Sequence, residues 1–379
     1  MKLYFEKIKR AIMPILIVNW LIGLGPVQYP IGNSRGQFSF IFVLLIASCY
    51  LFVSYTELLG SCSDTNVHSF DYLVFSVNRY LNTFTAITSL IIGWLNRKKL
   101  QLIWERITLI DETFKLFGLK RNYYSIFVES LLASILWAFG FLTMYTMDIL
   151  GHLDDWTLHR SLYCVFRFHW AIHTNTVVDI SFAVALSCLN DKLRKINNIL
   201  QIDADLTKLQ LPNTIKRTNK ISSVLNKDNL SKKNLIEILK HLHLEVCEMT
   251  REISEIYQVH IALEMITNFS SLTAVLYYFL NSMSELENFL VSDKKIAIIG
   301  LIGWSLIFFS RFLYINVVAE KIYSEAIKTG YVVLNLKSEN ENETLENEIE
   351  QFTLQLTQQP LCISMYGLND LGHDFIKNV

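Results

Sequence analysis

Gln37–Thr56, QFSFIFVLLIASCYLFVSYT, is a run of 20 residues without an Asp, Glu, Lys or Arg. A helix rises about 1.5 Å per residue, so this run would be about 30 Å long, the thickness of a bilayer's hydrocarbon core. Five more stretches have the same character. Tyr72–Asn96 carries one charge, Arg79, and Tyr123–Met147 carries Glu129. Cys164–Asn190 carries Arg167 and Asp179, Met265–Ser284 carries none, and Ile296–Ala319 carries Arg311. The 379-residue chain is 51% hydrophobic and only 18% charged, against about 25% charged in a soluble domain. The expected class is an all-α membrane protein with six transmembrane helices over 37–319.

A further apolar stretch, Ala11–Ser34, is long enough to span, but Pro14, Gly23, Gly25, Pro26 and Pro30 interrupt it. Positive charge decides its reading, because Lys and Arg collect on the cytoplasmic side. Loop 97–122 is basic and loop 57–69 has no Lys or Arg. With the N-terminus inside and six spans, the cytoplasmic segments hold 28 Lys and Arg, and the outer loops hold only Arg160, Lys294 and Lys295. Residues 11–34 therefore read as a re-entrant or interfacial segment of a cytoplasmic N-terminus, 1–36. The same count excludes a cleaved signal peptide and the orientation of a G-protein-coupled receptor. The net charge of −1 gives no general attraction to nucleic acid.

The cytoplasmic segments 97–122, 191–258 and 320–379 carry amphipathic stripes. Leu100, Ile103, Ile107, Ile110, Phe114 and Phe117 recur every three or four residues. So do Leu235, Leu239, Leu242, Val246, Met249, Ile253 and Ile256, and, more briefly, Ile349, Phe352 and Leu356. Such stripes must be buried in water. They predict a helical bundle within one chain or a seam between subunits, and spacing alone favours the first.

Ionisable groups inside a bilayer are costly and mark candidate sites. Arg79, Arg167 and Asp148 lie toward the outer side, and an Arg–Asp148 pair is one expectation. Arg311 is expected to snorkel inward, and Asp179 has no partner legible in the sequence. Tyr145, Trp170, Thr174, Tyr277, Tyr278, Asn281 and Trp304 add aromatic and polar groups at the same outer level. With Asp148 and Arg167 they could line an outward-facing small-molecule pocket; packing and an interfacial aromatic belt are the alternative. His169 and His173 share a helical face as HxxxH, but a metal enzyme would need further His boxes. Cys62 and Cys164 are expected as two free thiols, with a disulfide as the alternative. No phosphate loop, GxGxxG, HExxH or GxSxG occurs, so neither an enzyme nor a cofactor is expected.

His241–Met249, HLHLEVCEM, running on to Leu263, resembles the cytoplasmic approach to the fifth helix of insect gustatory receptors. Residues 320–330, EKIYSEAIKTG, resemble the stretch after their sixth helix, and 352–356, FTLQL, with Gly367-Leu368, the approach to their seventh. The resemblance implies a subunit of a tetrameric ligand-gated cation channel in the plasma membrane of a sensory neuron, detecting a small-molecule tastant. It also implies that the cytoplasmic stripes, with Gln355 beside Phe352 and Leu356, join subunits. The family's TYxxxxxQF signature does not occur before Val379. The pore-lining seventh helix is thus expected to be missing, and the chain alone is expected to conduct no current. A non-conducting subunit that assembles with full-length relatives is the second reading, and a secondary transporter the third.

Overall fold

The computed structural model describes residues 8, 10–24, 36–58, 69–119, 123–151, 157–208, 232–284, 292–337, 343–365 and 369–372. The described elements are α1 (Met13–Ile22), α2 (Gly36–Leu58), α3 (Ser69–Leu116), α4 (Tyr123–Gly151), α5 (Leu158–Lys208), α6 (Lys232–Ser284), α7 (Ser292–Lys337) and α8 (Glu343–Gln358). A two-residue antiparallel pair, β1 (Ser364–Met365) with β2 (Asn369–Asp370), follows them. The fold is all-helical, and α3, α5, α6 and α7 exceed 45 residues.

Among the described residues, four helices are long and apolar enough to cross a membrane: Tyr123–Leu150, Leu158–Ile202, Lys232–Leu280 and Ile298–Leu336. The other two expected spans fall on α2, apolar over Gln37–Val53, and on the first half of α3. Leu44, Leu45, Leu51 and Phe52 of α2 and Leu132, Leu136 and Phe139 of α4 are exposed. An apolar surface of this extent is stable in lipid and costly in water. α5 differs: its apolar window is buried almost throughout, and the helix forms the bundle's axis.

α1 is ten residues long, about 15 Å, half the depth of a bilayer core. Pro14 opens it, where a missing N–H costs nothing. The orphan N–H of Ile15 donates to Ser130 Oγ of α4 at 3.2 Å. Gly23 closes α1 with φ +89°, and the Leu24 N–H returns to the Asn19 carbonyl at 2.9 Å. Ile12, Ile15 and Ile22 pack against α4 and α5.

Beyond the spans, α3, α5, α6, α7 and α8 converge on one core, here termed the anchor. Ile103, Ile107, Ile110, Phe114 and Phe117 lie in it with Leu235, Leu239, Leu242, Val246, Met249, Ile253, Ile256, Ile349 and Phe352, and Leu100 and Leu356 pack against it. Gln355 donates to the Lys240 carbonyl at 3.3 Å. These side chains are thus engaged within a single chain. Polar contacts pin the same helices. Lys192 Nζ, 1% exposed, meets Asp111 Oδ1 at 2.6 Å. Arg106 of α3 reaches Glu245 at 2.5 Å and Glu252 at 2.6 Å on α6, and the Glu245 carboxylate foremost holds the guanidinium in its charged form. Lys240 bonds Glu348 of α8 at 2.8 Å and keeps that carboxyl below the usual range.

Candidate functional site

At the end of the bundle opposite the anchor, α4, α5 and α7 bring together a carboxylate, two imidazoles and several rings. Asp148 is bonded by His169 Nε2 at 2.9 Å and accepts from Trp304 Nε1 at 3.1 Å. The His169 ring lies on the Trp304 indole, with centroids 4.2 Å apart and planes 21° from parallel. One turn further along α5, His173 Nε2 meets the Tyr145 hydroxyl, and its ring packs on Phe141 at 4.1 Å and on Trp137 at 5.6 Å. HxxxH places both rings on the face of α5 that meets α4 and α7. Gly303 permits the approach of α7: a Cβ there would stand 2.7 Å from Met144 Sδ.

Among the described residues, three buried polar atoms of this cluster have no hydrogen-bond partner: Nδ1 of His169, Nδ1 of His173 and Nε1 of Trp137. Buried polar atoms are normally satisfied, and orphans gathered at one place mark a site that can receive a polar molecule.

The structure gathers Tyr145, Asp148 and Trp304 here. The Arg–Asp148 pairing expected from sequence gives way to His169 and Trp304, which are nearer along the same face. Arg79 instead lies over the Phe168 ring at 4.8 Å and Arg167 over Tyr163 at 6.0 Å. Thr174 and Trp170 belong to a neighbouring group with Tyr50 of α2: the Tyr50 hydroxyl bonds Thr174 Oγ1 and the Trp170 carbonyl. Tyr277 and Tyr278 of α6 pack edge to face at 5.5 Å, and the side chain of Asn281 lies outside the described residues. Cys164 is disulfide-bonded, contrary to the expected free thiol; the Cys62–Cys164 pairing weighed from sequence involves Cys62, outside the described residues.

A second polar assembly runs through the bundle's middle. Arg311 does not snorkel. It is 5% exposed and bonds Asp179 Oδ2 through Nη2 at 2.8 Å and Nε at 3.1 Å, and it also pairs with Glu264. His260 Nε2 bonds the other Asp179 oxygen at 3.0 Å, and its Nδ1 meets Ser89 Oγ at 2.6 Å. Asp179, His260 and Glu264 offer donor atoms within 4.8 Å of one another, a spacing that a metal could use, but the Arg311 guanidinium already pairs with both carboxylates.

The assembly continues outward as a polar seam. Asn78, Asn82, Thr85 and Ser89 of α3 are spaced 4, 3 and 4, and so are His260, Glu264, Thr267 and Ser271 of α6. The helices run antiparallel. Ser89 meets His260 at the inner end, and Ser271 donates to Asn78 at 2.8 Å at the outer end. Asn175 of α5 donates to Asn82 at 3.3 Å. The seam lies outside the ionisable groups and outer-level aromatic and polar residues that the sequence singles out; the matched 4-3-4 spacing of polar residues on the two helices was the available signal.

A family model described as 7tm chemosensory receptor matches residues 12–379. No curated protein sequence matches. Among solved structures, the insect olfactory receptor OR5 from Machilis hrabei is similar at 12% identity, with 99% of this chain and 95% of that one covered and a TM-score of 0.62. The same receptor in complex with eugenol matches over the same shares with a TM-score of 0.68. At this identity the likeness concerns the fold, while the family match extends over nearly the whole chain, and the protein belongs to the 7tm chemosensory receptor family, a receptor family rather than an enzyme family.

Proposed function

We propose that the protein is a gustatory receptor subunit of a ligand-gated cation channel, and that the Asp148–His169–Trp304–His173–Tyr145 cluster receives a small-molecule tastant. The observation that carries this reading is the trio of orphaned polar atoms, His169 Nδ1, His173 Nδ1 and Trp137 Nε1, set among aromatic faces. Aromatic walls with a few convergent polar groups suit a compact ligand with hydroxyl or carbonyl groups. The similar receptor that binds eugenol lends the reading general support. The taste assignment rests on the resemblance in 241–372.

The orientation proposed is cytoplasmic for the anchor and N-terminus, with six spans. The charge count of 28 against 3 supports it. So does the bonded Cys164, at the end opposite the anchor, since disulfides persist on the oxidising side. The proposed assembly is a tetramer with related subunits. Because the anchor stripes are buried within the chain, the surface proposed for subunit contact is the apolar one left exposed: Leu102, Leu109 and Leu116 on α3, and Tyr323, Ile327 and Tyr331 on α7.

The test is a dose–response series in cells that co-express the chain with a receptor of the same family, read by calcium imaging with sugars, bitter compounds and eugenol. Tastant responses that shift on Trp304→Ala support the reading. Responses to volatiles alone would replace taste by smell, and responses indifferent to Trp304, Asp148 and His173 would remove the site.

A further inference from the structure

Between α1 and the inner parts of α3, α5 and α6 lies a cavity of about 140 Å³. Its lining on α5, Val178 to Ala185, begins five residues beyond His173 of the outer cluster and lies beside the Asp179–Arg311 pair, and the cavity shares no residue with that cluster. Leu16 of α1, Ile92 and Trp104 of α3, Val184 of α5 and Tyr257 of α6 wall it. Its polar contacts are few: Asn19 with Ser181, Ser89 with His260, and Arg97 and Gln101.

We propose that this cavity is a second ligand site, for a compact neutral molecule with an apolar body about the size of one ring and a single hydroxyl. Size sets the first condition: a cavity of about 150 Å³ lined by Leu, Ile and Phe takes up benzene. Charge sets the second. Among the described residues no carboxylate lines the space, so a cationic guest would lack a counter-ion, at high cost. Arg97, the one Lys or Arg among them, donates to the Trp94 carbonyl at 2.6 Å and lies over the Trp94 ring at 4.6 Å, and an anion would have to draw it away from both. Asn19 sets the third. Its amide donates to Ser181 Oγ at 2.9 Å, while the Ser181 hydroxyl lies within reach of both the Val177 carbonyl at 2.7 Å and Asn19 Oδ1 at 3.1 Å. The second N–H of Asn19 and the second lone pair of its Oδ1 remain available, and a hydroxyl can serve both.

An occupant here also touches Ser89 and His260, the inner end of the polar seam, and through His260 it contacts the Asp179–Arg311 lattice. It would tie α1 to the helices whose register that lattice fixes, which makes the site a point of modulation separate from the outer cluster. The hydroxyl-bearing group has two sources, a free small alcohol or phenol, and the hydroxyl-bearing end of a membrane lipid such as a sterol or glyceride, whose remaining body would lie outside the space.

The experiment uses the full chain in phosphatidylcholine nanodiscs, photolabelled with a trifluoromethyl-diazirine benzyl alcohol and mapped by mass spectrometry. Saturable adducts are expected on peptides carrying Leu16–Asn19 and on those carrying Trp104 or Tyr257, competed by plain benzyl alcohol. Asn19→Leu, close in volume, should lower the apparent affinity roughly fivefold, the effect of about one hydrogen bond. Leu16→Trp should fill the space and abolish labelling while elution and thermal midpoint stay those of the parent; if that variant misfolds, Asn19→Leu decides. Labelling of Phe141–His173 peptides is a separate readout, so failure of the outer site leaves this test intact. A sterol or glyceride released from the purified chain by benzyl alcohol identifies the lipid source, and labelling without such release identifies the free alcohol; both support the site. Non-saturable adducts spread over lipid-facing residues, or cavity adducts indifferent to both substitutions, would overturn it.

Discussion

Replacing Arg311 by Leu tests what holds the bundle's middle together. The guanidinium bonds Asp179 twice and pairs with Glu264. Side-chain exposure is 5% for Arg311, 2% for Asp179 and 0% for Glu264, so solvent screens none of these contacts. Removing one partner of a buried pair costs about 3–5 kcal/mol, chiefly because the abandoned charge stays buried. Here two carboxylates on separate helices, α5 and α6, would face each other with only His260 to offset them. Expected for Arg311→Leu is a thermal midpoint lowered by about 5 °C or more in fluorescence-detected size exclusion, with reduced surface delivery. The triple variant Asp179→Asn, Glu264→Gln, Arg311→Leu removes charge from all three positions and should recover most of the loss, since neutral replacements of a buried ionic group are often close to neutral in stability. An Arg311→Leu midpoint within about 1 °C of the parent would refute the reasoning, as would a triple variant no better than the single one.

Asp148→Asn removes the charge from the acceptor of the His169 bond, and the potency of an outer-site agonist should fall about tenfold in calcium imaging. Gly303→Ala forces the Met144 thioether aside, a cost of about 1 kcal/mol that Met144→Ala in the same chain should relieve; thermal midpoints of the two variants check it. Burial foremost pushes the His243 imidazole down to about 4. A lowered folded value means that its stability contribution is complete above the ordinary value of about 6.5 and is lost as pH falls through about 4. Hydrogen exchange in α8, which meets His243 through Phe352 at 5.6 Å, should therefore accelerate over that window, and His243→Leu should flatten the dependence.

Local patterns were legible in the sequence. Charge-poor apolar runs fall on α2 and within α3 to α7, because a bilayer imposes length and polarity on each helix separately. The anchor stripes were legible for the same reason, since a 3–4 spacing marks a buried face whatever it meets. Pairings between distant segments were not. Asp179 and Arg311 are 132 positions apart, and nothing local in either helix names the other. The outer cluster was half legible. Tyr145, Asp148 and Trp304 stood out by type and depth, whereas His169 and His173 were weighed only as metal ligands, and their shared face meets a carboxylate and a phenol instead. The anchor stripes show the same limit: spacing says that a face is buried, and the partner, here the chain's own α3, α6 and α8, is a tertiary fact.

The two polar assemblies constrain how an outer ligand could move the bundle. Both sit on α5 and α7. His169 and Asp179 are ten residues apart on α5, about 15 Å, and Trp304 and Arg311 seven apart on α7, about 10 Å. The Arg311 guanidinium engages both Nε and Nη2 with one Asp179 oxygen. That geometry resists sliding α7 along α5 but tolerates a change of angle between them. A ligand that wedges between His169 and Trp304 should therefore tilt α7 about the Asp179–Arg311 contact. Spin labels at Leu162 and Ile299, exposed near the outer ends of α5 and α7, should change separation when eugenol is added as the probe. Labels at Lys195 and Tyr331, beyond the ion pair toward the anchor, should shift in the opposite sense, as the two sides of a pivot must. Equal shifts of the same sign would mean translation, and would show that the buried pair slips rather than pivots.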